Sequence, residues 1–308
     1  MKYFYLLLGL ILLISCNNTK INPHQPDPFI GLSKTIKDFN LKGIIKEVQQ
    51  ARYPILTSAD EKIDWNDALN RGNSSFLRFD REGRMVEQFN GEDKSYIQYN
   101  NEGKLTKAQI AYLDKESKER KVIDCNFKYD YNERLSKIER DDEYTHSNSY
   151  DDNGNCISVD TYGGGKSKYL KYKYDKENRV IQHADKSYVY KGNTVIDTVY
   201  YTDGKPSELN VQKYKGDKII SYEVYDIYLK KRKIKTRIDY KYNRYNDLVD
   251  RLESEGEFET RKNHYVIEYK YDTEGNWIKK IEYFDGKLEQ ATIRKIEYYQ
   301  KKYFGILK

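Results

Sequence analysis

Residues 265–284 read YVIEYKYDTEGNWIKKIEYF, and their pattern decides the fold. Tyr265, Ile267, Tyr269 and Tyr271 alternate with Val266, Glu268 and Lys270, the period of two that lays one face of a strand on a core. Asp272 then supplies the short acceptor side chain that opens a type I turn, and Gly275 the left-handed residue that completes a bulged hairpin loop. Trp277 begins the return strand. The stretch spells one β-hairpin.

The same hairpin recurs along the chain. With the aromatic before the turn as position zero, Phe79, Tyr99, Tyr129, Tyr150, Tyr174, Tyr242 and Tyr271 superpose. Position one is Asp80, Asn100, Asp130, Asp151, Asp175, Asn243 or Asp272, side chains that hydrogen-bond the backbone just ahead and so initiate turns. Position four is Gly83, Gly103, Gly154 or Gly275, with Asn178 and Asn246 in two copies, as a left-handed backbone requires. Glu133 breaks that rule. Position six is apolar throughout, from Met85 and Leu105 to Cys156 and Trp277, and should face position zero across the hairpin. Tyr271 is therefore expected opposite Trp277 and Tyr129 opposite Leu135, each pair contributing roughly 0.2–1 kcal/mol and together fixing register. Position eight is polar in every copy, so alternation fails on the return strand and a bulge is expected there.

Hairpins follow one another from Ser74 to about Tyr299 almost without linkers. About twenty strands in succession exceed the roughly ten that one open twisted sheet holds, so the sheet must curl or split to cover its tyrosine face. The expected fold is all-β: antiparallel hairpin repeats in a long coiled meander, whether open barrel, curled sheet or solenoid, with little helix. A chain with 32 Tyr is too aromatic for disorder. Residues 41–55 read as a first strand, with Ile44, Lys46 and Val48 on one side and Ile45 and Glu47 on the other. Residues 56–72 lack strand periodicity and read as a loop with at most a short helix; charged inserts at 115–121 and 253–264 read as long hairpin tips. Two strands separate Cys125 from Cys156, about 14 Å at sheet spacing against a disulfide limit near 7 Å, so both are expected as free, buried thiols.

The start of the chain carries an address. One basic residue followed by a short apolar run, residues 1–15, reads as a signal peptide. Leu13, Ile14, Ser15 and Cys16 resemble a bacterial lipobox, which implies that Cys16 becomes the acylated N-terminus and that the membrane is a partner through it. Several acyl chains hold far more durably than one. Residues 16–40, with Pro23, Pro26 and Pro28, read as a flexible tether, and residues 41–308 as a single β domain. Asn17 after the Cys resembles outer-membrane sorting in enterobacteria, and the absence of an acidic run after Cys16 argues against display on the cell surface, so an outer-membrane protein facing the periplasm is expected.

Chemistry is harder to find. His24, His146, His183 and His264 are scattered without metal-ligand spacing, and the glycines at 163–165 sit in a hairpin turn with no helix after them. No catalytic constellation, metal site or cofactor site is read from the sequence. The net charge of +6 comes from interleaved Lys and Glu, the pattern of a solvated sheet face and not of a nucleic-acid groove. Trp277 and Trp65 are the candidates for stacking on a sugar or peptide.

The motif best kept at Tyr150–Asn155 and Tyr271–Asn276 resembles the YD repeat of the RHS family. The Gly-Asn-Trp at 275–277 and the LKGIIKEV at 41–48 look like small YD-repeat lipoproteins of Gram-negative bacteria, a likeness covering residues 41–299. Large RHS proteins coil such strands into a shell around a toxin. This chain lacks the length for such a shell and shows no toxin domain, so encapsulation does not carry over. The expected function is a lipid-anchored, non-enzymatic binding or scaffold module for an envelope protein or glycan. A glycan-processing enzyme, or an immunity-type protein against a secreted toxin, are the alternatives.

Overall fold

Each strand pairs antiparallel with the next, as a chain of hairpins must. In a computed structural model, which describes residues 33–53, 74–114, 118–228, 231–256 and 261–300, the first half comprises β1 (Ile45–Tyr53), β2 (Ser74–Phe79), β3 (Met85–Phe89), β4 (Lys94–Tyr99), β5 (Leu105–Leu113), β6 (Arg120–Tyr129), β7 (Leu135–Arg140), β8 (Thr145–Tyr150), β9 (Cys156–Gly163) and β10 (Lys166–Tyr174). The second half comprises β11 (Val180–His183), β12 (Lys186–Lys191), β13 (Thr194–Tyr200), β14 (Pro206–Lys215), β15 (Lys218–Tyr228), β16 (Lys231–Tyr242), β17 (Leu248–Glu255), β18 (Arg261–Tyr271), β19 (Trp277–Phe284) and β20 (Lys287–Tyr298). A 3₁₀ turn, Ile36–Phe39, precedes them. Strand β1 pairs with β2 on one side and with β20 on the other, from Ile45↔Tyr298 to Tyr53↔Ala291, so the 20 strands form one closed ring. Closure leaves neither end strand with a free edge.

The turns follow the repeat closely. In all seven copies the position-one N–H donates to the position-five carbonyl, as from Asp80 to Arg84 and from Asp272 to Asn276, both at 2.9 Å. The position-one side chain accepts from the position-five N–H in each, whether Asp (Asp175 from Arg179, 3.0 Å) or Asn (Asn100 from Lys104, 2.9 Å). Glu133 adopts the left-handed backbone (φ 63°) that glycine holds elsewhere, so the exception lies in the sequence and not in the geometry. An eighth turn of this form, Tyr200 to Pro206, escaped the sequence pattern because Tyr201 stands where Asp should. The bulge is found too: Phe79 pairs with Met85 but Arg78 with Glu87, which leaves Val86 as the extra residue. Tyr271↔Trp277 and Tyr129↔Leu135 pair as expected.

The bulge also explains why the aromatic is usually tyrosine. An extra residue disrupts the ladder beside it, and the carbonyl of position six is met by the hydroxyl of a later tyrosine. Tyr99 donates to Met85 (3.0 Å), Tyr129 to Leu105 (2.8 Å), Tyr150 to Leu135 (2.7 Å) and Tyr174 to Cys156 (2.6 Å). Tyr190 and Tyr242 extend the series to Val180 and Ile219. Burial pushes the Tyr99 and Tyr190 hydroxyls up to about 12, so they stay protonated donors at neutral pH. Phenylalanine would fill the same space without supplying that hydroxyl.

Even-numbered strands all end at one rim, the near rim, where the Asp and Asn turns lie; odd-numbered strands end at the far rim. Inside, from β1 to β7, Ile45, Val48, Phe79, Met85, Leu105 and Ile138 pack into a dry core with their neighbours. Ile45 and Val48 both face it because β1 is bulged beside Lys46, which corrects the simple alternation expected of that strand. Cys125 and Cys156 are buried and free, with burial raising each thiol to about 11.

Part of the expected tether is a strap on the near rim. Lys34 accepts from the Met85 N–H (2.7 Å), Ile36 donates to Gly83 (2.9 Å), and Asn40 reaches Asp247 (3.2 Å). Phe39 meets the Phe79 ring edge-on at 5.8 Å, and Leu41 is buried. Gly83 is needed beneath it: a Cβ there would come within 3.1 Å of Ile36. The apolar Ile36, Phe39 and Leu41 cover the end of the dry core, and the expectation of a free segment as far as residue 40 is corrected from Lys34 onward. The second charged insert is also mostly ladder, since β17 runs to Glu255 and β18 begins at Arg261. Residues 1–32 with Cys16, and 54–73 with Trp65, lie outside the described residues.

The outer wall faces water. Lys107, Lys128, Lys173, Lys241, Lys270 and Lys295 project from it, all exposed. Lys107, Lys128, Lys173, Lys241 and Lys270 form a band beside the near-rim turns, where a lipid-facing lysine costs only about 0–1 kcal/mol, but exposed Asp124, Lys171 and Glu268 carry the charge further along the wall. No helix among the described residues is long and apolar enough to cross a membrane.

Candidate functional site

The inner face changes character around the ring. On β16 to β20 the register turns Arg251, Lys280, Glu282, Gln290, Thr292 and Arg294 inward, among Tyr265, Tyr269 and Trp277. Tyr269 pairs with Lys280, which pairs with Thr292; Glu282 pairs with Gln290, and Arg294 with Gln50 of β1. Every residue of β19 is half-buried, whereas the matching core of β1 to β7 is dry. This polar, part-accessible stretch of the interior is the wet sector of the ring.

Its charges are mostly paired. Arg251 Nη2 meets Glu253 at 2.8 Å and its guanidinium lies 5.0 Å from the Tyr265 ring. Lys280 meets Glu282 at 2.8 Å, and Gln290 donates to the same carboxylate at 2.7 Å. The Arg294 guanidinium lies 3.3 Å from the centre of the Trp277 ring, and its Nε donates to Gln50 Oε1 at 3.0 Å. Desolvation lowers Arg294 to about 9, which still leaves it a cation at neutral pH. Tyr269 meets Trp277 edge-on at 6.1 Å, and burial raises its hydroxyl well above the ordinary value.

Trp277, a stacking candidate from the sequence, thus lies in the wet sector. One face of its ring is covered by Arg294, so a ligand meets a guanidinium laid over indole. The sequence pattern missed Arg294, Lys280 and Glu282. The signal was there: the last return strands carry Arg251 and Lys280 at the inward position that the early repeats fill with Ala108 and Ile138.

The turn residues stay at the near rim, away from this sector's centre, and bind their own loops. Asp80 pairs with Arg84 (2.7 Å), Asp130 with Arg134 (2.8 Å) and Asp175 with Arg179 (2.7 Å), while Asp272 accepts from Tyr298 (2.6 Å). A cleft of about 390 Å³ lies between the turns at Asp151 and Asp175, beside Tyr172 and Ile181. Its amide is already engaged, since Asn155 donates to both Asp151 and Asn178. Desolvation opposes ionisation of Asp175, but the Arg179 N–H, the Arg179 guanidinium and the Glu177 N–H outweigh it and hold the carboxyl below its ordinary value. Its contribution to stability is therefore present above the unfolded carboxylate pKa and lost as pH falls through the lowered folded value. Asp175→Ala is expected to cost about 1 kcal/mol at pH 7 and progressively less in acid, as followed by urea unfolding. Asp175→Asn should keep most of the stability, because Asn100 and Asn243 accept the same N–H bonds in their own turns.

No protein-family model matches the chain, and no curated protein matches it. Among solved structures, a chain of the TcdB2–TccC3–Cdc42 crystal structure aligns at TM-score 0.41 and 11% identity, over 82% of this chain and 16% of that one. A porin-like protein from Bacteroides uniformis aligns at 0.34 and 8%, over 83% and 98%. One from Bacteroides vulgatus aligns at 0.23 and 12%, over 83% and 99%. The chain spans 16% of the length of the toxin-complex chain. What the barrel does has to be read from its own side chains.

Proposed function

We propose that the protein is a lipid-anchored, non-enzymatic binding module of the bacterial envelope that takes its ligand into the wet sector between β16 and β20. One observation carries the reading. A ring able to fill its interior with Ile, Leu and Met over seven strands instead lines the adjoining strands β17 to β20 with Arg251, Lys280, Glu282 and Arg294. Walled-in charges cost free energy unless compensated, so this lining stabilises the fold less than an apolar one would and is better explained by recognition. The charged outer wall and the strap agree with a barrel held beside the bilayer by Cys16 and not within it. The near rim, where the strap begins, would face the membrane.

Capture from envelope extracts on the tagged full-length protein tests the reading: a specific glycan or protein is expected. Cleavage of an envelope polysaccharide by the same material would favour the glycan-processing alternative. Rescue of cells from a toxin encoded beside the gene would favour the immunity alternative. The anchor is tested separately. Cys16→Ser should abolish incorporation of labelled palmitate and move the protein from the membrane pellet to the soluble fraction; unchanged partitioning would defeat the lipid anchor.

A further inference from the structure

Arg294 differs from the cations around it. Arg251 closes on Glu253 and Lys280 on Glu282, each at 2.8 Å. The Arg294 Nε is held by Gln50 at 3.0 Å and its plane rests on Trp277, but its two Nη groups meet no acceptor among the described residues. The carboxylate that bears on it electrostatically, Asp247, is occupied by Tyr271 at 2.8 Å and Asn40 at 3.2 Å. Gln50 and Trp277 therefore fix the guanidinium while leaving the outer side of its fork for an anion. That fork matches a carboxylate through two parallel N–H bonds.

The surroundings narrow the ligand further. Tyr269 and Gln290 add a hydroxyl and an amide oxygen on the same inner face, Gln290 Nε2 being taken by Glu282 and by the buried Thr292. Among the described residues, β17 to β20 and β1 each pair with a neighbour on both sides, so this sector offers an extended peptide no open strand edge on which to satisfy its backbone. A ligand here must bring its own hydrogen-bonding groups to side chains, as a polyhydroxylated sugar does. Resting on the binding function proposed above, we propose that Arg294, laid on Trp277, is the carboxylate-recognition residue of the lumen and that the ligand is an acidic glycan built from uronate-type sugars.

The chain has 2 Trp and 32 Tyr, so in full-length protein carrying Trp65→Phe, emission excited beyond the tyrosine absorption band reports on Trp277 alone. Hexagalacturonate is expected to change that emission saturably, and uncharged maltohexaose is not. Arg294→Gln should weaken hexagalacturonate binding by about tenfold or more, and Arg294→Lys, which keeps the charge but not the fork, by less. Far-UV circular dichroism establishes that each variant is folded; should Arg294→Gln not fold, Arg294→Lys and the loss of binding with added salt carry the test. Equal binding of hexagalacturonate by the folded Arg294 variants and the parent would overturn the proposal. So would equal binding of maltohexaose and hexagalacturonate. Specific capture of an envelope partner without any uronate binding overturns this inference and leaves the binding function standing, whereas failure of both removes both.

Discussion

Phe79→Ala is expected to destabilise the protein by about 3–5 kcal/mol, a large part of the roughly 5–15 kcal/mol that holds a typical domain folded. Phe79 is 1% exposed and lies where three separate parts of the chain meet. Its ring packs edge-on against Phe39 of the strap, its hairpin partner is the fully buried Met85, and its carbonyl accepts the Tyr299 hydroxyl at 2.8 Å from across the seam. Truncation would leave a cavity that neither the sheet nor the strap can collapse to fill, since both are fixed by backbone hydrogen bonds at Gly83 and Met85. Urea unfolding measures the loss through the midpoint at unchanged slope. Tyr131→Ala is the control: at 91% exposure it should shift stability by no more than about 0.5 kcal/mol. A Phe79→Ala protein as stable as that control would mean that the strap and the seam do not converge on this ring.

The hairpins were legible in the sequence because their signals are local. Asp, Gly and the aromatic sit within a few residues of one another, and Asp151 to Asn155 needs no distant partner to form its turn. The free thiols could be read for the same reason, since counting strands between Cys125 and Cys156 uses only chain order. Closure could not be read. It depends on Ile45 meeting Tyr298, a pairing with no motif at either end. The strap was hidden likewise, because Ile36, Phe39 and Leu41 form no periodic pattern and acquire meaning only against Phe79 and Gly83. The wet sector was half visible. Lys280, Glu282 and Arg294 violate the inward apolar rule, but a bulge at position seven of each copy shifts the alternation, and without the pairing register an inward charge cannot be told from an outward one.

Closure itself has a direct test in Lys295→Pro, which should destabilise the protein by about 3 kcal/mol or more. Lys295 is exposed on the outer wall, so its side chain removes little burial when changed. Opposite it on β1 stands Gln49, and the pairing of β20 with β19 stops at Ile293. Its backbone therefore serves the seam. Proline takes away an N–H from that ladder and crowds the strand beside it. In a closed ring the break falls in the pairing that joins the two ends of the chain. Were the sheet an open curl, β20 would be an edge strand, where proline is tolerated, and the same substitution would be nearly silent. Lys295→Ala separates the backbone effect from the side chain and should lie within about 0.5 kcal/mol of the parent. Hydrogen exchange adds the location: in the proline variant the β1 amides that face β20 and the β20 amides beyond Ile293 should lose protection together, because each set is the other's partner, while protection in β6 to β9 persists.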